Sequence, residues 1–172
     1  MQTRANQRNP LDTVDQAYLA NLLLDAGRMP EARAVLARAL QIDPDLSLVH
    51  VAIAQVELHD SRLEQALAEI REIRDPLLQL LATALVQYSL HHPQESQQAL
   101  DELIKTQAAN AAYQIAEIYA WRGEKDQAFM WLDRAYGQRD GGLIGLKTDW
   151  LLASLRSDPR YGALLRKMNL PQ

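Results

Sequence analysis

A few groups of residues have the types that chemistry needs, but not the spacing. His91 and His92 adjoin, with Glu95 close behind, and imidazole with carboxylate is the donor set of a zinc site. Neighbouring side chains on a helix point about 100° apart, so the two histidines are poorly aimed at one ion, and a solvated helix end accounts for them. Asp60, Glu64, Glu69 and Glu72 could supply an acid and a base. Arg62, Arg71 and Arg74 lie among them, and that mixture reads as a solvent-facing charged surface. Gly141-Gly142 lacks the Gly-Lys-Ser/Thr context of a phosphate loop and reads as a turn. Trp121 and Trp131 are read as packing aromatics, not a cofactor box. The chain has no cysteine, which excludes disulfides, thiolate ligands and cysteine nucleophiles. The expectation is a protein without catalytic, metal or cofactor-binding residues, and so not an enzyme.

The 172 residues carry a formal net charge of −4. A nucleic-acid partner would call for a strongly basic face, so none is expected. No apolar run approaches the roughly 18 residues of a membrane span, and no membrane partner is expected. The opening MQTRANQRNP lacks the apolar core of a secretory leader. A cytoplasmic location is the default expectation.

The elements that would position any site are helices. Alanine and leucine dominate, glycine is sparse, and no segment alternates with period two between hairpin turns. Apolar periodicity and punctuation predict helices over 13–27, 30–42, 47–59, 62–74, 77–91, 95–106, 110–122 and 125–137. Asp75-Pro76 and Asp158-Pro159 read as an N-cap followed by proline in the first helical turn.

Self-similarity runs through these helices. Leu19-Ala20 is followed by Gly27, Ala32-x3-Leu36 and Asp43-Pro44. Ile53-Ala54 is followed by Ala66-x3-Ile70 and Asp75-Pro76, and Ile115-Ala116 by Gly123, Ala128-x3-Leu132 and Ala135. In each copy two alanines lie twelve apart: Ala20 and Ala32, Ala54 and Ala66, Ala116 and Ala128. Small residues at those places let two helices cross closely. A degenerate copy is expected between Pro76 and Thr106, its second helix marked by Ala99-x3-Leu103. Gln87 then takes the small position, and the unit is short, with 29 residues from Ala99 to Ala128 against 34 from Ala32 to Ala66.

This pattern resembles the tetratricopeptide repeat, a unit of about 34 residues. Gln16 replaces its leading Trp, Ala20 its Gly and Leu23 its Tyr. The resemblance implies an all-α fold: a right-handed solenoid of helical hairpins, about four repeats long, with a C-terminal helical cap. The layout is an N-terminal extension at 1–12, repeats near 13–45, 47–76, 77–107 and 109–137, and a capping segment at 138–172. Within it Trp150, Tyr161 and Leu170 either pack the cap or form a second contact patch. The stretch 112–136, Gln138-Arg-Asp140, Leu146-Lys147, Leu155-Arg-Ser-Asp-Pro-Arg160 and Leu164–Pro171 also resembles a C-terminal module of bacterial multidomain signalling proteins. Those include winged-helix regulators, class III cyclases, serine/threonine kinases and TolB-like proteins. Trp150 stands where that module often has proline.

In the tetratricopeptide fold the first helix of each hairpin lines a concave surface. The resemblance places Val14, Ala17, Asn21 and Leu24 there, then Leu48, Val51, Gln55 and Leu58. Ala84, Tyr88 and His91 follow from the degenerate copy, and Asn110, Tyr113, Glu117 and Ala120 from the last. Such an apolar groove with scattered amides suits a helix or an extended peptide of a protein partner. Ala17 and Ala52 occupy places where a carboxylate clamp would need polar side chains. The alternatives are a groove packed against the chain's own ends and a structural domain that forms a homodimer.

Overall fold

Four helical hairpins turn in the same way. Each passes through one residue in the left-handed region, at Gly27 (φ 71°), Ser61 (58°), His91 (62°) and Gly123 (78°). The next amide then donates back into the preceding helix: Arg28 to the Leu23 carbonyl (2.8 Å), Arg62 to Glu57 (2.8 Å), His92 to Gln87 (2.9 Å) and Glu124 to Tyr119 (2.9 Å). This is the C-terminal cap that closes a helix with its last carbonyls satisfied. Glycine adopts it freely, whereas Ser61 and His91 hold a Cβ against the following carbonyl.

The computed structural model describes residues 10–171. Its helices are α1 (Pro10–Asp25), α2 (Met29–Ile42), α3 (Ser47–His59), α4 (Leu63–Ile70), α5 (Pro76–Ser89), α6 (Pro93–Gln107), α7 (Ala112–Trp121), α8 (Lys125–Gln138) and α9 (Pro159–Lys167). Two 3₁₀ segments, Gly141–Gly145 and Trp150–Leu155, lie between α8 and α9. No strand occurs among the described residues. Of the expected extension at 1–12, residues 1–9 lie outside the described part, and α1 already begins at Pro10. The two expected caps form: Asp75 Oδ1 accepts from Leu78 N (3.0 Å) and Asp158 Oδ1 from Arg160 N (3.0 Å).

The expectation for the third hairpin needs correcting. Its small pair is Ala84 and Ser96, not Gln87 and Ala99. Both are fully buried, and the Ser96 hydroxyl donates to the Ala84 carbonyl at 2.6 Å. The twelve-residue spacing therefore holds in all four hairpins. Most of the shortening belongs to the second hairpin, with 30 residues from Ala66 to Ser96 against 32 from Ser96 to Ala128, because α4 stops at Ile70 instead of running to 74. There Arg71, Glu72 and Ile73 turn tightly, and Ser47 Oγ accepts the amides of Arg74 (2.9 Å) and Asp75 (3.0 Å).

The chain divides into two compact units, residues 1–79 and 80–172, with the division inside α5. In the first, α1 packs on α2 and α3, and α3 packs on α4. Ala20, Ala32, Ala54 and Ala66 are buried where the paired helices meet. A longer side chain at such a site overpacks the crossing and costs about 1–3 kcal/mol. The buried Glu57 of α3 receives Arg33 from α2 and Arg62 from the following turn, the latter at 2.8 Å. His50 is also buried. Its Nδ1 lies 2.8 Å from Glu69 Oε2 and its Nε2 2.8 Å from the Pro44 carbonyl. Two acceptors on one ring require both nitrogens to be protonated.

In the second unit the α7–α8 hairpin carries the most closely packed core, with Ile115, Ala116, Ile118, Ala128, Leu132 and Ala135 all buried. The segment after α8 packs back on it. Leu143, Leu146, Leu151, Leu152 and Leu155 are buried, and both 3₁₀ segments lie against α7. Tyr161 on α9 is buried, and its hydroxyl donates to the Leu146 carbonyl at 2.6 Å. Trp150 meets Trp121 edge to face, with ring centroids 5.2 Å apart.

Candidate functional site

The expected groove positions fall into two classes by burial. Counted from the small residue of the first helix in the first, second and fourth hairpins, the positions six before and one after stay at least partly exposed. They are Val14 and Asn21 on α1, Leu48 and Gln55 on α3, and Asn110 and Glu117 around α7. The positions three before and four after are buried: Ala17 and Leu24, Val51 and Leu58, Tyr113 and Ala120. These six belong to the core, which corrects the expectation that they present their side chains to a ligand. The cause is the narrowness of the open stripe. α3 is buried over most of its surface and leaves Ser47, Leu48, Ile53, Gln55 and His59 accessible.

The corrected register of the third hairpin changes its assignments as well. The equivalents of Val14, Ala17, Asn21 and Leu24 become Leu78, Leu81, Leu85 and Tyr88. Ala84 is the buried small residue of the crossing, and His91 is the exposed turn residue. Tyr88 keeps its place, half-buried, with its hydroxyl donating to the Arg122 carbonyl at 3.1 Å. Tyr88, Ser89, His91, Pro93 and Trp121 line a cavity of about 420 Å³. Trp121 Nε1 donates to Ser89 Oγ at 2.9 Å.

On α7 the chain itself occupies the expected binding face. The Tyr113 hydroxyl donates to Asp149 Oδ2 at 2.8 Å, and both residues are buried. Asp140 Oδ2 accepts the Tyr113 amide at 3.1 Å, its Oδ1 the Gly142 amide at 2.9 Å. Ser154 Oγ donates to the Ala120 carbonyl at 2.9 Å. Gly142 passes so close to the Tyr113 ring that a Cβ there would lie 2.5 Å from Cδ1. The alternative of a groove packed against the chain's own ends thus describes α7. Trp150 and Tyr161 are part of that packing, and Leu170 is half-buried.

In the first unit α1 and α3 lie side by side, with Asn21 and Gln55 at equivalent places 34 residues apart. The Asn21 amide has a polar atom shielded from water that meets no hydrogen-bond partner among the described residues. An amide both donates and accepts, so such a pair can bond a peptide main chain whatever its side chains are. Sequence reasoning had signalled these two residues by type, and burial separates them from their apolar neighbours. No group of His, Asp or Glu among the described residues is arranged to hold a metal ion. His92 Nδ1 lies 2.8 Å from Gln87 Oε1 and His91 sits in the turn. No helix among the described residues is long and apolar enough to cross a membrane.

The tetratricopeptide repeat family matches residues 14–56, a quarter of the chain. The match covers the first hairpin and most of α3, so it takes in Val14, Asn21, Leu48 and Gln55. No curated protein matches significantly. Among solved structures, the chain is similar to YrrB, described as a TPR protein with an unusual peptide-binding site. Identity is 16%, coverage 98% of this chain and 97% of that one, and the TM-score 0.49. It is also similar to PilF of Pseudomonas aeruginosa, at 17% identity, 94% and 93% coverage and a TM-score of 0.36. Scores of this size decide nothing about the fold, which rests on the helices, the four equivalent turns and the family match.

Proposed function

We propose that this chain is a non-catalytic protein-interaction scaffold that holds a peptide segment of a partner along α1 and α3. The observation that carries the reading is the Asn21–Gln55 pair. Two half-exposed amides stand at equivalent places on adjacent helices, and Val14 and Leu48 are half-exposed on the same stripes. Apolar contacts at Val14 and Leu48 select side chains, while the amides take the main chain. α7 takes no part in this site, because the capping segment packs on its face. The likeness of residues 112–171 to a C-terminal module of bacterial signalling proteins supports a regulatory setting for the scaffold.

A displayed random-peptide library tests the reading. Peptides selected on the wild type should lose about tenfold in affinity for Asn21→Ala or Gln55→Ala, which corresponds to about 1.4 kcal/mol. Selected peptides that bind both variants unchanged would remove the groove from consideration. Self-association is the competing function. A concentration-independent dimer in light scattering, weakened by Val14→Ser and Leu48→Ser, would replace the peptide with a second copy.

A further inference from the structure

α5 and α7 bring their C-terminal ends to one cavity. Tyr88, Ser89, His91, Pro93 and Trp121 line its volume of about 420 Å³, and Ser89 and Trp121 are the last residues of the two helices. A helix C-terminus carries the negative pole of the peptide dipoles and carbonyls without an intrahelical partner. The Ser89 and Trp121 carbonyls accept no hydrogen bond among the described residues. For Ser89 the cause is Pro93, one helical turn on, which has no N–H to donate. The His91 imidazole also has no hydrogen-bond partner among the described residues. It stands at positive φ, where two of the three equivalent turns have glycine.

The walls of the cavity are aromatic. Tyr88 and Trp121 are half-buried, and the face of such a ring attracts a cation. None of the lining residues is acidic, lysine or arginine. Arg122 lies 5.5 Å from the Tyr88 centroid but does not line the cavity, and Glu124 answers its charge at 2.8 Å. The donors of the walls are taken up: Trp121 Nε1 bonds Ser89 Oγ, and the Tyr88 hydroxyl bonds the Arg122 carbonyl. What remains for a ligand is two rings, two negative helix ends and a set of acceptors, to which a neutral imidazole adds one nitrogen.

We infer that this cavity binds the guanidinium of an arginine side chain presented by a partner protein. A guanidinium is planar, stacks on aromatic rings and carries several donors in a fixed fork, which matches rings and acceptors side by side. It is also more weakly hydrated than an ammonium. With no carboxylate in the lining, a lysine would lose more hydration than the rings and carbonyls return.

The test is a titration of the full chain followed by NMR at the Trp121 indole N–H and the His91 ring protons. The probes are N-acetylarginine amide, its citrulline counterpart, which keeps the shape without the charge, N-acetyllysine amide and free arginine. The expected result is a saturable shift with N-acetylarginine amide, a weaker one with the lysine probe and none with citrulline. Trp121→Leu, read at His91, should weaken binding about tenfold, and an unchanged helical spectrum confirms its fold. His91→Gly removes an acceptor and relieves the backbone, so it should weaken binding about threefold while the urea midpoint rises. That opposition is one a purely structural His91 would not produce, and it decides the matter if Trp121→Leu does not fold. Asn21→Ala, which tests the peptide groove, should leave binding unchanged, so the two readings fail separately. Equal shifts with the arginine and citrulline probes, or undiminished binding by His91→Gly, would overturn the inference. So would tighter binding of free arginine than of the blocked probe, which would assign the cavity to a free amino acid.

Discussion

The Ser96 hydroxyl lies 2.6 Å from the Ala84 carbonyl, and through that bond a serine serves as the small residue of the third hairpin. Both residues are fully buried at the crossing of α5 and α6. Serine fits because it is nearly as small as alanine and because the facing helix satisfies its one donor.

Substitution at that crossing separates size from hydrogen bonding. Ser96→Ala removes the bond and its donor together, and should change stability by less than about 1 kcal/mol. Ser96→Leu forces the helices apart and should cost about 1–3 kcal/mol or more. Urea unfolding measures both. Equal costs for the two variants would show that the hydroxyl, not the volume, is what the site requires.

The left-handed turns make a paired prediction. Ser61→Gly should stabilise the chain by about 1 kcal/mol, because the strain of a Cβ at positive φ disappears. Gly123→Ala should destabilise it by a similar amount. Nothing lies within 4 Å of the Cβ it would add, so its cost comes from the backbone alone. Urea midpoints for the two variants should move in opposite directions.

His50 makes stability depend on pH. Burial is the largest influence on its imidazole and opposes the charge. The hydrogen bonds to Glu69 and Pro44, with the nearby charges of Glu69 and Glu72, together outweigh it and raise the pKa above the ordinary imidazole value of 6.5. A group whose folded pKa is raised stabilises fully below its unfolded pKa and loses that contribution as pH climbs through the folded value. Stability linked to His50 should therefore be greatest at pH 5–6 and fall above about 6.5. Urea midpoints of wild type and His50→Gln across this range check it, the difference between them shrinking as pH rises.

The packing of the capping segment on α7 can be loosened from either side. Tyr113→Phe leaves a buried oxygen of Asp149 without its donor, a loss of about 1–3 kcal/mol. Gly142→Ala drives a methyl into the Tyr113 ring and should cost about 2 kcal/mol or more. Hydrogen exchange should rise in residues 141–155 of both variants while α1–α4 keep their protection. Unchanged exchange there would mean that the segment is held by its leucines alone.

Much of the architecture was legible in the chain. Alanine pairs twelve apart, prolines after Asp75 and Asp158, and glycines at 27 and 123 mark helices, caps and turns through local stereochemistry, which needs no tertiary context. Hairpin three was misregistered because periodicity counts apolar residues, and Ser96 counts as polar until its hydroxyl is seen to meet a carbonyl on another helix. The turns of the second and third hairpins are obscure in the sequence because Ser61 and His91 adopt a glycine conformation that only the flanking helices enforce.

The sequence by itself determined that this protein is a series of close-packed helical hairpins, since spacing and side-chain size are properties of the chain. Only the tertiary structure decided which groove residues stay open. Whether Asn21 stays half-exposed while Leu24 is buried, whether Tyr113 is covered by Asp149 and Gly142, and whether Leu22 is left bare all depend on which neighbour lies against each helix face. Neighbours distant in sequence leave no periodic trace in the helix they cover.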